Sequence, residues 1–326
     1  MRDLKFGICL PSWNEASAFY GGLDYGLVKS LAVSCEKLGY DTLWAPDHFI
    51  LGDAMYECWT LLSAIAAATK RIRLGPLVLS YSHRYPSLVA KMATTLDVIS
   101  RGRLNFGLGG GWHKTEHVAY GLNWTDAPAL RIHDMTDAIK ITKAMWTKEH
   151  VTYEGRSFSV KDAVCNPKPV QKPYPPIWIG GAGERLLLRA VAKYADGWNI
   201  PSVPPEEYAQ KLKVLKDHCE REGREFETIE KSMESRILVT NDQWELEKVS
   251  KWIASFSSSV RDMSSDLDPS RTDFTQRYII GDTKTCRKRI DEYRKAGVQH
   301  FTLYLLDYPS TRTLKILSQE IMPSFR

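Results

Sequence analysis

The chain alternates short apolar runs with amphipathic helical stretches almost from end to end. That rhythm confines it to a parallel sheet clothed by helices, since each helical crossover returns the chain to the same end of the sheet. Strands are expected over Leu4–Leu10, Asp41–Ala45, Ile72–Leu79, Arg103–Leu108, Ile177–Ile179, from about Gly197, over Ser232–Thr240 and over Gln299–Leu306. Between them the spacing predicts helices over Leu23–Leu38, Tyr56–Thr69, Pro86–Ser100, Asp134–Thr147, Leu186–Tyr194, Pro205–Glu222, Trp244–Phe256 and Asp282–Ala296, with a last helix closing the chain. Gly39 and Gly297 stop two of them, and Pro86 opens another. Eight strands in 326 residues, with no shift of composition, point to one (β/α)8 barrel domain spanning 1–326. The rhythm breaks after strands four and seven. Val151–Lys172 reads as a hairpin-like excursion, and the Ser- and Asp-rich stretch Ser255–Ser270 as a surface lid. An open doubly wound sheet would carry its glycine-rich turn after the first strand, but that strand ends Leu10-Pro11-Ser12-Trp13.

Charge and cysteine usage narrow the class. Forty-four basic and 39 acidic residues leave +5, without a basic tract, so nucleic acid is not an expected partner. Cys9, Cys35, Cys58, Cys165, Cys219 and Cys286 lie far apart without a Cys-x-x-Cys, which suits free thiols in a reducing compartment. No apolar run approaches the roughly 20 residues that cross a bilayer, and the N-terminus opens into a strand rather than a signal peptide. The expectation is a cytoplasmic protein acting on a small molecule, with no membrane partner.

In a barrel the chemistry sits at the C-terminal ends of the strands. This gathers Trp13 and Asn14, Asp47 and His48, Ser80 to Tyr85, Gly109 to Trp112, Gly180 to Gly183 and Asn199 around one mouth. The stretch Pro175–Asn199 is the most telling of these. Its strand runs into Gly180-Gly181-Ala182-Gly183, which has almost no side-chain bulk, and then into a helix whose first N–H groups favour an anion. An aromatic, apolar mouth with backbone donors suits a flat heteroaromatic cofactor carrying a phosphate. Trp44 and Trp178 read better as packing, and Asp196 as a group that caps or pairs. A decoy from another class is His113-Lys114-Thr115-Glu116-His117, the His-x-x-Glu-His pattern of a zinc metallopeptidase. It needs a further ligand and a helical surround, whereas three glycines lead into it here, so no metal is expected.

At these residues the sequence resembles the bacterial-luciferase-like family of flavin and deazaflavin barrels, over essentially its whole length. The resemblance rests on Trp44-Ala45-Pro46-Asp47-His48-Phe49, Arg71 to Gly75, Gly102-Arg103-Leu104 through His113 with Glu116 and Tyr120-Gly121, and Pro176 through Asn199. The Asp-His-Phe after strand two is similar to the branch that uses coenzyme F420. The resemblance implies an F420-dependent hydride-transfer oxidoreductase, usually a homodimer. The alternative is an FMN-dependent monooxygenase fed by a separate reductase, or an accessory flavin-binding protein of the same fold. It implies His48 against the reactive carbon, stabilising the cofactor anion or moving a proton, and Asp47 on the ring system. Gly180, Gly181, Ala182 and Gly183 would face the cofactor phosphate. Gly109, Gly110 and Gly111 would admit the ring or ribityl chain. A cis Leu77–Val78 bulge beside Ser80 would press on the central ring. Trp13, Trp112 and Glu116 would line the substrate pocket. Trp112 stands where members acting on sugar phosphates carry an acid, which argues against a sugar phosphate and for an apolar or aromatic substrate.

Overall fold

The computed structural model describes residues 3–263 and 277–326. Its strands are β1 (Lys5–Cys9), β2 (Thr42–Ala45), β3 (Arg73–Pro76), β4 (Leu79–Ser80), β5 (Phe106–Gly109), β6 (Val151–Glu154), β7 (Ser159–Ala163), β8 (Ile177–Gly180), β9 (Gly197–Ile200), β10 (Glu230–Val239), β11 (Ile279–Gly281) and β12 (His300–Leu305). The sheet runs β3-β2-β1-β12-β10-β9-β8-β5-β4, parallel at every pairing, with β11 alongside β10. β3 and β4 are two halves of one stave, parted at the cis peptide Leu77–Val78, where the resemblance places one. The ring closes at Leu74, whose N–H donates to Arg103 O at 3.1 Å and whose carbonyl accepts from Asn105 N at 2.9 Å. Eight staves therefore form a (β/α)8 barrel, as the alternation demands.

Helices begin where the chain supplies acceptors or a preset φ. Asp24 caps α1 (Tyr25–Lys37) by accepting from Leu27 N. Glu57 caps α2 (Cys58–Ala68) by accepting from Trp59 and Thr60 N. Prolines open α3 (Pro86–Ser100) and, beyond the short α4 (Lys114–Ala119), α5 (Pro128–Thr147). α5 thus starts six residues before the expected Asp134. After α6 (Leu187–Tyr194) and α7 (Pro205–Arg221), α8 (Gln243–Met263) corrects another expectation. It runs past the expected Phe256, so that the first part of the Ser-rich stretch is helical, and the rest of the stretch read as a lid, residues 264–270, lies outside the described residues. The chain ends with α9 (Thr283–Ala296), α10 (Arg312–Ile316) and a tail of π and 3-10 turns. Val151–Lys172 does hold the antiparallel hairpin β6–β7. All six cysteines are buried and free.

Strand alternation sorts the side chains into two cores. Phe6, Ile8, Leu43, Ala45, Ile177 and Ile179 point out to the helices. Cys9, Trp44, Leu77 and Trp178 point into the barrel, with Val78 and Tyr304 packed on them. Trp44 and Trp178 meet edge to face with centroids 5.1 Å apart, so both are packing residues. Interior volume is balanced across staves. A Cβ on Gly197 would fall 2.4 Å from the Trp178 ring. One on Gly109 would fall 2.6 Å from Val78 Cγ2, and one on Gly180 2.9 Å from both Val78 methyls. The side chain after the cis bond therefore wedges between β5 and β8, in space that two glycines leave. Gly109→Ala should cost about 1–3 kcal/mol by overpacking and much less in a Val78→Ala background. Urea denaturation of the four proteins in this cycle checks the coupling; simple additivity would contradict the wedge.

Candidate active site

The strand ends after β2, β4 and β5 bring together four histidines and three carboxylates. Glu116, on α4, has no exposed surface. Its Oε2 accepts from Phe49 N and, at 2.9 Å, from Ile50 N, while its Oε1 stands 3.2 Å from His48 Nδ1. Because a carboxylate only accepts, His48 Nδ1 carries the proton, and its Nε2 has no partner among the described residues. The His48 side chain keeps 17% of its surface exposed, its ring 5.0 Å from that of Trp112. On the other side His83 Nε2 is 3.2 Å from Glu116 Oε1, an ion-pair contact whose angle falls short of a hydrogen bond.

A chain of alternating charge leads away from this point. His83 Nδ1 is 3.2 Å from Asp47 Oδ2. Arg84 grips Asp47 at both oxygens, at 2.9 and 3.0 Å, and continues to Glu57 at the start of α2. Ser80 N also donates to Asp47, at 3.2 Å, which ties β4 to the end of β2. Phe49 lies flat against His83 with centroids 4.5 Å apart and against Tyr120 at 4.7 Å, covering the chain with apolar surface.

Charges follow from these contacts. Desolvation pushes the Glu116 carboxyl up, but the His113, His48 and His83 rings gathered around it outweigh this and hold it far below the usual range. Asp47 is likewise raised by burial and brought down, on balance, by His83 and Arg84. Burial lowers His83, yet its two carboxylate neighbours overcome this and raise it above the ordinary value. His117 behaves oppositely. Burial lowers it, its Nδ1 donates to His113 O at 2.8 Å, and its Nε2 accepts from Ser82 Oγ at 2.6 Å.

The geometry revises several expectations. His113 and His117 do not converge: His113 shares Glu116 with His48, whereas His117 shares it with His83. The two histidines of the protease-like pattern thus face different partners across Glu116 on a six-residue helix, and within each set, His48–His113–Glu116 and His83–Glu116–His117, the nitrogen and carboxylate atoms lie within 4.8 Å of one another. Glu116 lies behind His48 rather than on the pocket wall, and the Asp47 oxygens are taken by Ser80, His83 and Arg84. Gly109 and Gly180 make room for Val78. Gly111, at φ 68°, passes over Ser80 Oγ. The Gly181 N–H, expected to face a phosphate, donates to Asn199 O at 2.9 Å, and the Gly181 carbonyl accepts from Trp198 Nε1. Ala182, Gly183 and Glu184 keep N–H groups without a protein acceptor among the described residues. Trp13 is buried against Tyr304, with centroids 5.8 Å apart. Its Nε1 and Ser12 Oγ are buried without a partner among the described residues. Asp196 pairs as expected, accepting from Ile177 N at 2.9 Å. His83 and Arg84 were missed as site residues. The signal was present in Ser80 to Tyr85, but nothing in one sequence says which of six loop residues turns inward.

Residues 4–300 match the family described as luciferase-like monooxygenase, and the chain belongs to that family. Among its relatives is the F420-dependent glucose-6-phosphate dehydrogenase of Microbacterium testaceum (strain StLB037), 31% identical over 324 residues and covering 93% of each chain. The phthiodiolone/phenolphthiodiolone dimycocerosates ketoreductase of Mycobacterium kansasii is 30% identical, covering 68% of this chain and 66% of its own. An F420-dependent secondary alcohol dehydrogenase, solved with an F420–acetone adduct, superposes with a TM-score of 0.84 at 20% identity over the whole of both chains. The monooxygenase RslO1 from Streptomyces bottropensis superposes at 0.80 with 22% identity, over 99% of this chain and 100% of its own. Likeness at that identity speaks for the fold. The glucose 6-phosphate relative removes the force of the argument from Trp112 against a sugar phosphate. Among the described residues no helix is long and apolar enough to cross a membrane.

The charge chain makes stability depend on pH at both ends. Glu116 and Asp47, depressed from 4.5 and 3.8, contribute stability that is in place above those values and lost as pH falls through the folded ones. His83, raised from 6.5, contributes stability that is complete below 6.5 and lost as pH rises through its folded value. Glu116→Gln should therefore lower the urea midpoint at pH 7 and flatten its decline on the acid side. A parallel acid decline in both proteins would contradict the assignment.

Proposed function

We propose that the chain is an F420-dependent oxidoreductase moving a hydride between the deazaflavin and a small organic substrate. The observation that carries this reading is His48: its Nδ1 is fixed by a buried carboxylate and its Nε2 is left open at the mouth. Family membership and the F420-dependent relatives support the choice of cofactor. The mouth fits a planar ring with a phosphate tail. Val78 supplies an apolar face, Ser12 Oγ and Trp13 Nε1 are buried polar atoms awaiting a partner, and the N–H groups of Ala182 to Glu184 point the anion to the start of α6.

When bound, F420 supplies the hydride-accepting or hydride-giving carbon. His48 Nε2 takes or returns the proton on the substrate oxygen, with Glu116 holding the ring in one tautomer. Asp47 acts at one remove, anchoring Arg84, His83 and the Ser80 backbone. Gly110 and Gly111 let the chain pass close to the ligand, and Trp112 forms the rim against the substrate. The rim leaves two substrate classes, an apolar or aromatic compound and a sugar phosphate such as glucose 6-phosphate, and the two are assayed side by side. A homodimer completes the reading.

His48→Ala should leave F420 affinity nearly unchanged and lower turnover about 10²–10⁴-fold. Unaltered turnover would remove its role. Titrating cofactor-free protein with F420 and FMN, followed by fluorescence, should give the tighter complex with F420. Tight FMN binding with no response to F420 would assign the chain to the FMN-dependent monooxygenases, with a separate reductase as partner.

A further inference from the structure

His48 faces the Glu116 carboxylate through Nδ1 at 3.2 Å. Its usefulness as a proton acceptor depends on what else neutralises Glu116. The groups facing it can be enumerated. Glu116 lies against Nδ1, His113 has its ring 6.1 Å away, and Trp112 covers an edge. Beyond Glu116 come His83, then Asp47, Arg84 and Glu57. His117 lies 4.9 Å from His83, ring to ring, with both nitrogens engaged by His113 O and Ser82. Asp47 is matched by the two-pronged grip of Arg84 and needs no further cation. Among the described residues, the polar groups on Glu116 are backbone N–H groups and histidines. His83, buried with 6% exposure and 3.2 Å from a carboxylate oxygen at each ring nitrogen, is built to carry that cation.

We propose that His83 is a positioning residue: held as an imidazolium between Asp47 and Glu116, it neutralises Glu116, so that His48 keeps one proton, on Nδ1, and leaves Nε2 as an acceptor at the mouth. This rests on the oxidoreductase reading for its use, but not for its chemistry. The His83 side chain is buried. It acts through Glu116, and Glu116 acts on His48. Phe49 stacks on His83 and covers one face of its ring. The arrangement also explains why Arg84 holds Asp47 so fully. Without that grip, His83 would have to serve two anions at once.

The test needs neither cofactor nor substrate. Ring ¹⁵N spectra of the ligand-free chain at pH 7 should show His83 protonated at both nitrogens and His48 protonated at Nδ1 alone. In His83→Gln the second proton should pass to His48, whose titration midpoint should rise by about one pH unit or more. The pH–rate midpoint of His48 should move up with it, while F420 affinity stays within about twofold. Glu116→Gln should act in the opposite sense, lowering the His48 midpoint. A neutral His83 in the unaltered chain, His48 protonated at Nε2 instead, or an unmoved His48 midpoint in a folded His83→Gln would each overturn the proposal. The first two outcomes are read on the unaltered chain and do not depend on any variant folding. Failure of F420 to bind would bear on the oxidoreductase reading alone, since the spectra are taken without it.

Discussion

The buried carboxylate of Glu116 fixes more of the mouth than any other group. It joins α4 to the loop after β2 through the N–H groups of Phe49 and Ile50, and it orients His48 in the same act. A carboxylate moved from water into a protein interior costs several kcal/mol unless its lone pairs are matched. Here they are matched by two backbone donors and His48 Nδ1, with the His83 ring in ion-pair contact at 3.2 Å. Helix position, loop conformation and ring tautomer are thereby set together.

The barrel makes this possible by geometry. Parallel staves deliver every strand end to one side, so residues 47, 83 and 116, far apart in sequence, become neighbours. Arg84 extends the network down to the capping residue of α2, and Ser80 N ties in the broken third stave. The charged chain thus doubles as a brace between three loops.

Much of this was legible in the order of residues. Apolar runs separated by helical periods gave all eight staves within a few residues, because burial on both faces leaves an unmistakable run of Val, Ile, Leu and Trp. Asp47 and His48 stood out by lying just past a strand. Three things were hidden. The Gly181 amide looked available, but the carbonyl of Asn199 on the next stave takes it, and pairing between staves is not written locally. Gly109 and Gly180 looked like openings for a ligand, but their emptiness serves a valine from a third strand. The first turns of α5 escaped notice because the buried residue there is Arg131, a charged side chain that gives no apolar stripe. In the two glycine cases a partner distant in sequence decided the outcome.

The valine wedge has a consequence for how such barrels can diverge. The hollow beneath the mouth is shaped by residues 78, 109 and 180 jointly, each from a different stave. A side chain cannot grow on either glycine while the valine remains, and the valine cannot shrink without opening a void. The three sites are therefore inherited as one block, and remodelling this floor for a bulkier ligand calls for concerted replacement rather than stepwise drift.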